Sequence, residues 1–177
     1  MRNILIYNYF ICEQGEFILL AFDNQLCGMI LPDFKTKKAP LIKETPTFKH
    51  LKRHLGNIKL EKKRESIFKK AEKALINYFS SKFYFHLPIL FIGTLFQKMV
   101  WQNILKVPYG QTITYQDLAI KSGFPKGIRA VAQACRANPL PIFIPCHRIV
   151  GKNGISGYSA GLDWKIFLLK HEGGYNG

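Results

Sequence analysis

A cysteine and a histidine stand side by side at Cys146 and His147, directly after Pro145. A thiol is a strong nucleophile only as its thiolate, and a free cysteine with a pKa of about 8.5 is mostly protonated near neutral pH. A neighbouring imidazole is a base that could accept the proton. Adjacent residues of an extended strand point to opposite faces, so the two side chains can share a site only if the backbone turns. The proline makes such a turn plausible.

The Cys-His pair alone is open to two interpretations. Cys146 is either a nucleophile with His147 as its base, or an inert buried thiol, which is the common state of a single cysteine. The chain has four cysteines, at positions 12, 27, 135 and 146. They lack the paired short spacing of a zinc site and are too few for a disulfide scaffold, so we expect no metal and a reducing, cytoplasmic location.

The charge of the chain points to a polyanionic partner. Lysine and arginine number 26 against 11 acidic residues, which gives a net charge of +15 and a pI near 9.8. Nucleic acid is the first candidate, and a lysine-rich solubilising surface is the alternative. Residues 35–73 alone hold fourteen basic residues against four acidic ones. No apolar run approaches the roughly 20 residues of a membrane span, and we interpret the apolar start as a strand rather than a signal peptide.

The first half of the chain predicts an α/β domain over residues 1–90. Three β-rich runs separated by turn residues predict a small antiparallel meander. The runs are Ile4 to Ile11, Glu16 to Phe22 and Leu26 to Leu31. Residues 32–64 have weak periodicity, which is typical of loop and short helix. Apolar residues then recur at helical spacing from Glu65 to Ser80 and predict an amphipathic helix. His50 and His54 are four residues apart, but a third metal ligand is not in sight.

The second half, residues 91–177, predicts a mostly α-helical domain. Two residue pairs have the spacing of helix-capping boxes. They are Thr94 with Gln97 and Thr114 with Asp117. The second pair opens a helix from Tyr115 to Ser122, a turn with Gly and Pro follows, and another helix runs from about Ile128 to Ala137. Two short helices joined in this way predict a helix-turn-helix that binds DNA, with a helical hairpin of an ordinary core as the alternative.

The helix from Ile128 has small side chains, which allow close approach to another helix or to a narrow groove. Its polar residues Arg129, Gln133 and Arg136 share one face. Beyond it, Ile142 to Ile144 predicts a short buried strand that leads into the Cys-His pair. A glycine-rich loop and a last helix, Asp163 to Glu172, complete the chain before a glycine stop.

Taken together, these residues resemble one family, the O6-alkylguanine-DNA alkyltransferases, also called methylated-DNA–protein-cysteine methyltransferases. The matching segments follow the family's order and cover residues 91–174, while residues 1–90 match only as an apolar, β-rich start followed by a helix. The segments are Gly93-Thr94-x-Phe96-Gln97, Val100-Trp101, Val107-Pro108-Tyr109-Gly110-x-Thr112, Thr114-Tyr115, Arg129-Ala130-Val131, Asn138-Pro139, Ile144 to Val150, Gly157-Tyr158-Ser159-x-Gly161-Leu162 and Leu168-Leu169-x-His171-Glu172-Gly173.

The resemblance implies a three-layered α/β N-terminal domain with a mixed or antiparallel sheet, and a mostly helical C-terminal domain that holds the site. It implies DNA repair by direct reversal of damage, in which the alkyl group of O6-alkylguanine passes irreversibly to Cys146 in a single turnover. O6-methylguanine is the expected lesion, with O4-methylthymine as a second candidate. The expected partner is double-stranded DNA, contacted in the minor groove by a monomer that uses no cofactor.

The same resemblance assigns roles in the reaction. Cys146 is the nucleophile, His147 is its base through a bridging water, and Glu172 orients the imidazole. A carboxylate near a helix C-terminus is electrostatically unfavourable, so we expect Glu172 to have a cationic or hydrogen-bonding partner. Tyr115 would donate to the purine nitrogen N3, whereas from the residues alone it could equally be an aromatic of the core.

Other roles concern DNA and the damaged base. Arg129 would fill the space left by a flipped nucleotide, and extrusion is required because the O6 substituent is buried within the duplex. The helix with Ala130 and Arg136 would enter the minor groove, with Thr112 as a further contact. Asn138 would tie this helix to the active-site segment, although a helix cap before Pro139 is the simpler interpretation.

A last set of residues would read the base itself. Tyr158 and Ser159 lie in the loop that would close over the base. Backbone groups of Cys146 and Ile149, and the amide of Ser159, would contact the guanine edge. Three alternatives are a cysteine hydrolase, a lesion-binding protein that does not react, and a DNA-binding regulator. The presence of Cys146 disfavours the lesion-binding protein that does not react. A cysteine hydrolase differs in its product, because water releases a thioester but cannot resolve the thioether that alkyl transfer leaves.

Overall fold

The computed structural model describes residues 3–81 and 86–174. The chain divides into two compact units, Met1–Gly93 and Thr94–Gly177. None of the helices formed by the described residues is both long and apolar enough to cross a bilayer.

The first unit is built on a four-stranded sheet. Its strands are β1 (Asn3–Cys12), β2 (Gly15–Phe22), β3 (Gln25–Ile30) and β4 (Ile58–Lys62), in the order β3-β2-β1-β4. The first three form the antiparallel meander that the sequence predicts. The fourth pairs with β1 in parallel and makes the sheet mixed. It lies in a segment that the sequence predicts as loop and short helix, because five residues with two lysines give little strand signal.

Two helices pack on this sheet from opposite faces. They are α1 (Pro46–Leu55), which a short 3₁₀ turn precedes, and α2 (Ser66–Phe79), which agrees with the predicted amphipathic helix. Leu51 of α1 packs in one cluster with Leu20 of β2, whereas Phe79 of α2 contacts Phe17 of β2. Because neighbouring residues of a strand point to opposite faces, the unit has three layers, helix, sheet and helix.

The basic residues of this unit are spread over its surface. All fourteen lysines and arginines between residues 35 and 73 are exposed. Ten of them lie on α1, β4 and α2 or directly after β4, that is, on both faces of the sheet and at one edge. The lysine excess therefore does not gather on a single face of the described part of this unit.

The second unit is mostly helical. Its helices are α3 (Leu95–Ile104), α4 (Tyr115–Lys121), α5 (Ile128–Arg136) and α6 (Leu162–His171). Two-residue strands β5 (Ile113–Thr114) and β6 (Ile149–Val150) pair in parallel. Both predicted capping boxes are present, and each threonine hydroxyl accepts from the backbone N–H three residues on.

Helix α5 is anchored by a hydrogen bond from α3. The indole Nε1 of Trp101 donates to the carbonyl of Ala134 at 2.8 Å, and both residues are buried. The alanine-rich composition of α5 permits this close approach to its backbone. Arg129, Ala130 and Arg136 of the same helix are exposed to solvent. A turn with Gly123 at φ +78° joins α4 to α5, and the helix-turn-helix interpretation of this pair stays a prediction.

The predicted strand from Ile142 to Ile144 is wrong. The segment is buried, but it forms a tight turn with Ile142 at φ +70°. The amide of Ile144 donates to the carbonyl of Leu140 at 2.8 Å. Apolar character predicts burial correctly here, but the segment has no neighbouring strand to pair with, so it satisfies its backbone groups locally.

We expect the substitution Thr94→Ala to destabilise the second unit by about 1 kcal/mol, because it removes the side-chain acceptor that caps α3. Thr94→Ser keeps the hydroxyl and is the control, with an expected loss of a few tenths of a kcal/mol at most. Denaturant unfolding of both variants measures the difference. Equal stabilities for Ala and Ser at this position would contradict the capping role.

Candidate active site

A single 3₁₀ turn, Cys146–Arg148, carries the two candidate reactive residues. The backbone leaves its extended course at Pro145, which has φ −78° and ψ 61°. The adjacent residues can therefore contribute to one site, as their chemistry requires. Cys146 is 4% exposed and His147 is fully buried. The thiol lies in a protected environment rather than on the surface.

The side chain of Asn138 holds the thiol in place. Its amide nitrogen Nδ2 donates to Cys146 Sγ at 3.0 Å and to the Ile144 carbonyl at 2.8 Å. Its oxygen Oδ1 accepts from the amide of Leu140 at 2.9 Å. Asn138 thus uses its full donor set to connect the end of α5 to the segment that carries Cys146. An N–H aimed at sulfur also favours the thiolate over the thiol.

The carboxylate of Glu172 is the centre of a second network. Glu172 Oε1 accepts from His147 Nε2 at 2.7 Å and from Arg148 Nη2 at 3.0 Å. Glu172 Oε2 accepts from Arg148 Nε at 2.7 Å and from the amide of Gly110 at 3.2 Å. The expected cationic partner is therefore present, and it is Arg148. A two-point pair with a guanidinium outweighs the unfavourable position at a helix C-terminus.

Gly110 is required by the close approach of two backbone segments. It has φ +74°, and a Cβ at this position would lie 2.8 Å from the carbonyl oxygen of Glu172. Any side chain would therefore push the end of α6 away. A glycine permits both the backbone conformation and the hydrogen bond to the carboxylate.

The protonation states follow from burial and these bonds. Burial alone would raise the pKa of Glu172, but the hydrogen bonds from His147 and Arg148 outweigh it and lower the pKa to about 2. Burial lowers the pKa of His147, against the opposing effect of Glu172. The imidazole is therefore neutral near pH 7, and its proton lies on Nε2, which donates to the carboxylate.

The other imidazole nitrogen is the basic one. Nδ1 of His147 carries a lone pair in this tautomer and makes no hydrogen bond within residues 3–81 and 86–174. A carboxylate on the far side of the ring stabilises the imidazolium that would form on proton uptake. The pair His147–Glu172 can therefore act as a general base.

Burial also raises the pKa of Cys146, more than Asn138, Lys165 and Tyr158 lower it. The thiol is accordingly protonated at neutral pH in this state. A nucleophile of this kind needs its proton removed as it reacts, which is the task that a neutral, oriented imidazole performs.

Two charged residues of the site were not among the predicted ones. Arg148 is 1% exposed, donates from Nη1 to the Val107 carbonyl at 2.6 Å, and lies over the ring of Tyr109 at 5.7 Å. The sequence contains a signal for the pairing of Arg148 with Glu172, because residues 91–177 hold only three acidic residues. Asp117 and Asp163 lie in the first turns of helices, so Glu172 is the acidic residue that remains to pair with a buried arginine.

Lys165 is the second missed residue, and it is fully buried. Its Nζ donates to the carbonyls of Ile149 at 2.6 Å and Ser156 at 2.7 Å, and lies 5.8 Å from the ring centre of Tyr115. The sequence signal was its spacing, because Lys165 precedes the buried Leu168 and Leu169 by three and four residues. It therefore stands on the buried stripe of α6.

Tyr115 joins this part of the site. Burial, together with the thiols of Cys135 and Cys146, raises the pKa of Tyr115 to about 12, against a hydrogen bond with the Ser156 side chain that lowers it. The phenol therefore keeps its proton and can serve as a hydrogen-bond donor.

Most of the remaining predicted residues lie on the surface of the second unit. Arg129, Ala130, Arg136 and Thr112 are exposed, as is Ser159. Tyr158 is half-buried, and its presence near Cys146 acts to lower the pKa of the thiol. The carbonyl of Ile149 belongs to the site through its bond from Lys165. The buried chemical groups are thus brought together, while the DNA-contact candidates face solvent.

A known protein family matches the second unit. The family model described as "6-O-methylguanine DNA methyltransferase, DNA binding domain" matches residues 95–174. A probable methylated-DNA–protein-cysteine methyltransferase of Acanthamoeba polyphaga mimivirus is 46% identical over 106 residues, which are 59% of this chain and 71% of the relative. The chain belongs to this methyltransferase family. A methylated-DNA–protein-cysteine methyltransferase of Methanosarcina barkeri is also 46% identical, over 110 residues, 61% of this chain and 70% of the relative.

The likeness of this family member to solved structures extends over both units. A crystal structure of the O6-methylguanine methyltransferase of Mycobacterium tuberculosis superposes on this chain with a TM-score of 0.72 and 28% sequence identity. The match covers 96% of this chain and 93% of the Mycobacterium tuberculosis chain. The structure of the same Mycobacterium tuberculosis protein in complex with DNA superposes with a TM-score of 0.71 and 26% sequence identity. That match covers 96% of this chain and 92% of the other. The predicted family, the α/β first half and the helical second half are confirmed.

We expect the stability of the protein to decrease as the pH falls from about 4.3, the usual pKa of glutamate in an unfolded chain, towards the folded pKa of Glu172 near 2. A folded pKa below the unfolded one means that the unfolded chain binds the proton first, so acid favours unfolding. Denaturant midpoints over this range measure the effect.

Two variants separate this carboxylate from the others. The glutamine of Glu172→Gln cannot ionise, so this variant should lose less stability as the pH falls. It should also be less stable at neutral pH, because Arg148 loses its charged partner. Glu44→Gln, at an exposed position, is the control and should follow the wild type. An unchanged acid slope in Glu172→Gln would show that the buried ion pair is not what acid disrupts.

Proposed function

We propose that Cys146 is the alkyl acceptor of this protein and that His147, Glu172, Asn138 and Tyr115 serve its reaction. Family membership gives the activity, DNA repair by transfer of the alkyl group to a protein cysteine. The observation that carries the residue assignment is the buried thiol held by Asn138 at 3.0 Å beside an imidazole whose Nε2 donates to Glu172 at 2.7 Å. O6-methylguanine in duplex DNA is the proposed lesion.

The chemistry follows from these contacts. Sγ of Cys146 attacks the alkyl carbon, a new S–C bond forms, and the bond from that carbon to O6 breaks with its electron pair moving to guanine. Nδ1 of His147 takes the thiol proton through a water molecule, and Glu172 stabilises the imidazolium. Tyr115 donates its phenol proton to N3 of the departing purine, which leaves as neutral guanine, and the proton held by His147 returns to the phenolate through solvent.

The product explains why we propose a single turnover. A thioether has no electrophilic carbonyl that water could attack, unlike the thioester of an acyl-transferring cysteine enzyme. Each molecule would therefore repair one lesion. The second candidate lesion, O4-methylthymine, offers the same kind of alkyl carbon on a base oxygen.

The surface of α5 supports a mode of DNA binding. The O6 substituent is inaccessible in the stacked duplex, so the nucleotide must rotate out. We propose that α4 and α5 act as a helix-turn-helix, with exposed Ala130 in the minor groove, Arg136 against the phosphates beside it and Arg129 in the space left by the base. Thr112 would contact the backbone. A monomer suffices, because these groups all lie in one unit.

The loop that follows β6 supports a mode of base recognition. The carbonyl groups of Cys146 and Ile149 and the amide of Ser159 would bind the guanine edge, and Tyr158 would cover the ring. The Ile149 carbonyl is already fixed by Lys165 at 2.6 Å. A carbonyl has a second lone pair, so this bond leaves it able to accept from a base.

We expect Cys146→Ser to abolish alkyl transfer while binding to O6-methylguanine DNA is retained, because a serine hydroxyl is a far weaker nucleophile of similar size. Intact-protein mass spectrometry after incubation with the DNA should show one added methyl group on the wild type and none on the variant. Cys12→Ser, at a half-buried position in the first unit, is the control and should still gain the group. A methyl group on the Cys146→Ser variant, or many repaired lesions per molecule, would contradict the assignment.

We expect the affinity for duplex DNA to fall steeply as salt increases, because contacts to phosphates release counterions. Arg136→Ala should reduce the slope of log affinity against log salt by about one, the change expected for one lost phosphate contact. Fluorescence anisotropy titrations at several salt concentrations measure the slope. A flat response of the wild type would return the net charge of +15 to the solubility interpretation.

A further inference from the structure

Strand β1 extends beyond the strand that pairs with it on one side. There β4 pairs in parallel with residues 3–7 of β1, and the last backbone hydrogen bond runs from the amide of Lys63 to the carbonyl of Tyr7 at 3.0 Å. On the other side β2 pairs with β1 as far as its last residue. Among the described residues, the segment 8–12 of β1 therefore has a strand neighbour on one side only.

The pairing with β2 determines which backbone groups of this segment point outward. Ile11 lies opposite Glu16, but the amide of Glu16 donates to the carbonyl of Lys37 at 2.9 Å and so points away from β1. Facing residues of an antiparallel pair alternate between hydrogen-bonded and non-hydrogen-bonded pairs. Ile11 and Glu16 are therefore a non-bonded pair, and Tyr9 belongs to the next one. The N–H and C=O groups of Tyr9 and Ile11 thus point to the side that β4 leaves open, as the carbonyl of Tyr7 does.

A groove of about 450 Å³ lies along this open margin. One side is formed by residues 8–11 of β1, and the other by α2 together with the two residues before it. The lining residues of that second side are Arg64, Glu65, Phe68, Lys69 and Glu72. An added strand would lie about 4.8 Å from β1, which places it in this space. Four outward backbone groups beside a groove are what an extended segment needs to join a sheet.

The margin carries none of the features by which proteins usually block strand addition. Such features are charged side chains, prolines and bulges. The segment 8–12 reads Asn-Tyr-Phe-Ile-Cys, without a charge or a proline, and it pairs with β2 in continuous register. Ile11 is 72% exposed. The segment is therefore open to pairing with another chain rather than protected from it.

The charge around the groove selects the kind of segment that fits. Residues 62–73 hold six basic residues, all exposed, and two acidic ones. Among the described residues, the ion pair of this stretch is that of Lys63 with Glu61 at 3.1 Å. A second copy of this chain, with its net charge of +15, would bring one basic surface against another. Charge therefore favours an acidic segment of a different protein over a second copy.

We propose that the open margin of β1 and the groove beside it are a docking site for an extended acidic segment of another protein. The segment adds to the sheet as a further strand. The backbone groups of Tyr9 and Ile11 hold its main chain, and Arg64 and Lys69 contact its carboxylates. The site lies within the first unit and uses none of the residues assigned to alkyl transfer or to DNA, so it goes beyond the function proposed above.

The test uses three synthetic peptides of about six residues, a length that spans the margin. In the first, valine alternates with glutamate, and in the second, valine alternates with lysine. The third has the sequence of the first with both central amides N-methylated, which keeps its charge and removes one donor from each edge. Each peptide is titrated into the full-length, ¹⁵N-labelled protein without DNA, and the backbone amide signals are followed.

We expect the glutamate peptide to bind and to shift the amide signals of Tyr9 and Ile11 more than those of Asn8 and Phe10, which bond to β2. The amides of Tyr9 and Ile11 should also exchange with solvent more slowly in the complex. The N-methylated peptide should bind about tenfold more weakly, the effect of one or two lost hydrogen bonds. The lysine peptide should bind more weakly still, because its charge opposes that of the groove.

Two substitutions test the protein side of the contact. Ile11→Pro removes an outward N–H and should weaken the glutamate peptide by about tenfold, since proline is tolerated in a strand where its nitrogen faces an open edge. Ile11→Glu places a carboxylate at the margin and should weaken the same peptide by about fivefold. Leu41→Glu, at a residue of the first unit that is 71% exposed, is the control and should match the wild type. Ile11→Glu keeps the test valid if Ile11→Pro fails to fold.

Three results would overturn the proposal. The first is equal affinity of the glutamate peptide and its N-methylated form, and the second is signal changes at the lysines of α2 without changes at Tyr9 and Ile11. Either one would mean that the peptide meets a charged surface and not a strand edge. The third is a dimer in sedimentation experiments that Ile11→Glu dissociates, which would assign the margin to a second copy of this chain.

Discussion

The buried carboxylate of Glu172 is the constraint on which the rest of the second unit depends. One side chain at the end of α6 accepts hydrogen bonds from His147, Arg148 and the amide of Gly110. These groups come from three separate stretches of the chain. Such a pair is costly to bury and costly to break, because removal of one partner leaves an uncompensated charge. Its value is therefore in fixing geometry, and the geometry that it fixes includes the orientation of the His147 imidazole, on which the proposed reaction depends.

Burial has a common effect on the titrating groups around the thiol. It raises the pKa of Cys146 and Tyr115 and lowers the pKa of His147 and Lys165. In each case burial favours the neutral form of the side chain over the charged one. At neutral pH the thiol, the phenol and the imidazole are therefore neutral, whereas Lys165, with a pKa of about 8, is still mostly protonated. A thiol kept protonated in this way is protected from indiscriminate electrophiles, while a base within the same turn can still activate it.

Much of this molecule could be predicted from its sequence. The capping boxes, the first three strands and the helices follow from local patterns, and the Cys-His pair with its surrounding segments identified the family. The sequence could not place β4, because a parallel strand is defined by a distant partner rather than by its own residues. The turn at Ile142 looked like a strand for a similar reason, since an apolar run reports burial but not pairing.

The buried cations were missed for a different reason. Arg148 and Lys165 belong to residue types that are almost always exposed, so a reader of the sequence assigns them to the surface. Arg148 is explained only by Glu172, which is 24 residues away along the chain. Lys165 is explained only by carbonyl groups, which every residue has and which therefore leave no trace in a sequence. Long-range polar contacts of this kind become visible only with the fold.

The edge position of β4 has a consequence for how copies of this protein meet in solution. An open strand margin exposes backbone donors and acceptors that another chain could extend into a larger sheet. Here that margin carries Lys59, Lys62 and Lys63, all exposed, with Glu61 as the acid that two of them share. Two such margins brought together would repel each other, so the lysines beside β4 act against intermolecular sheet growth and aggregation.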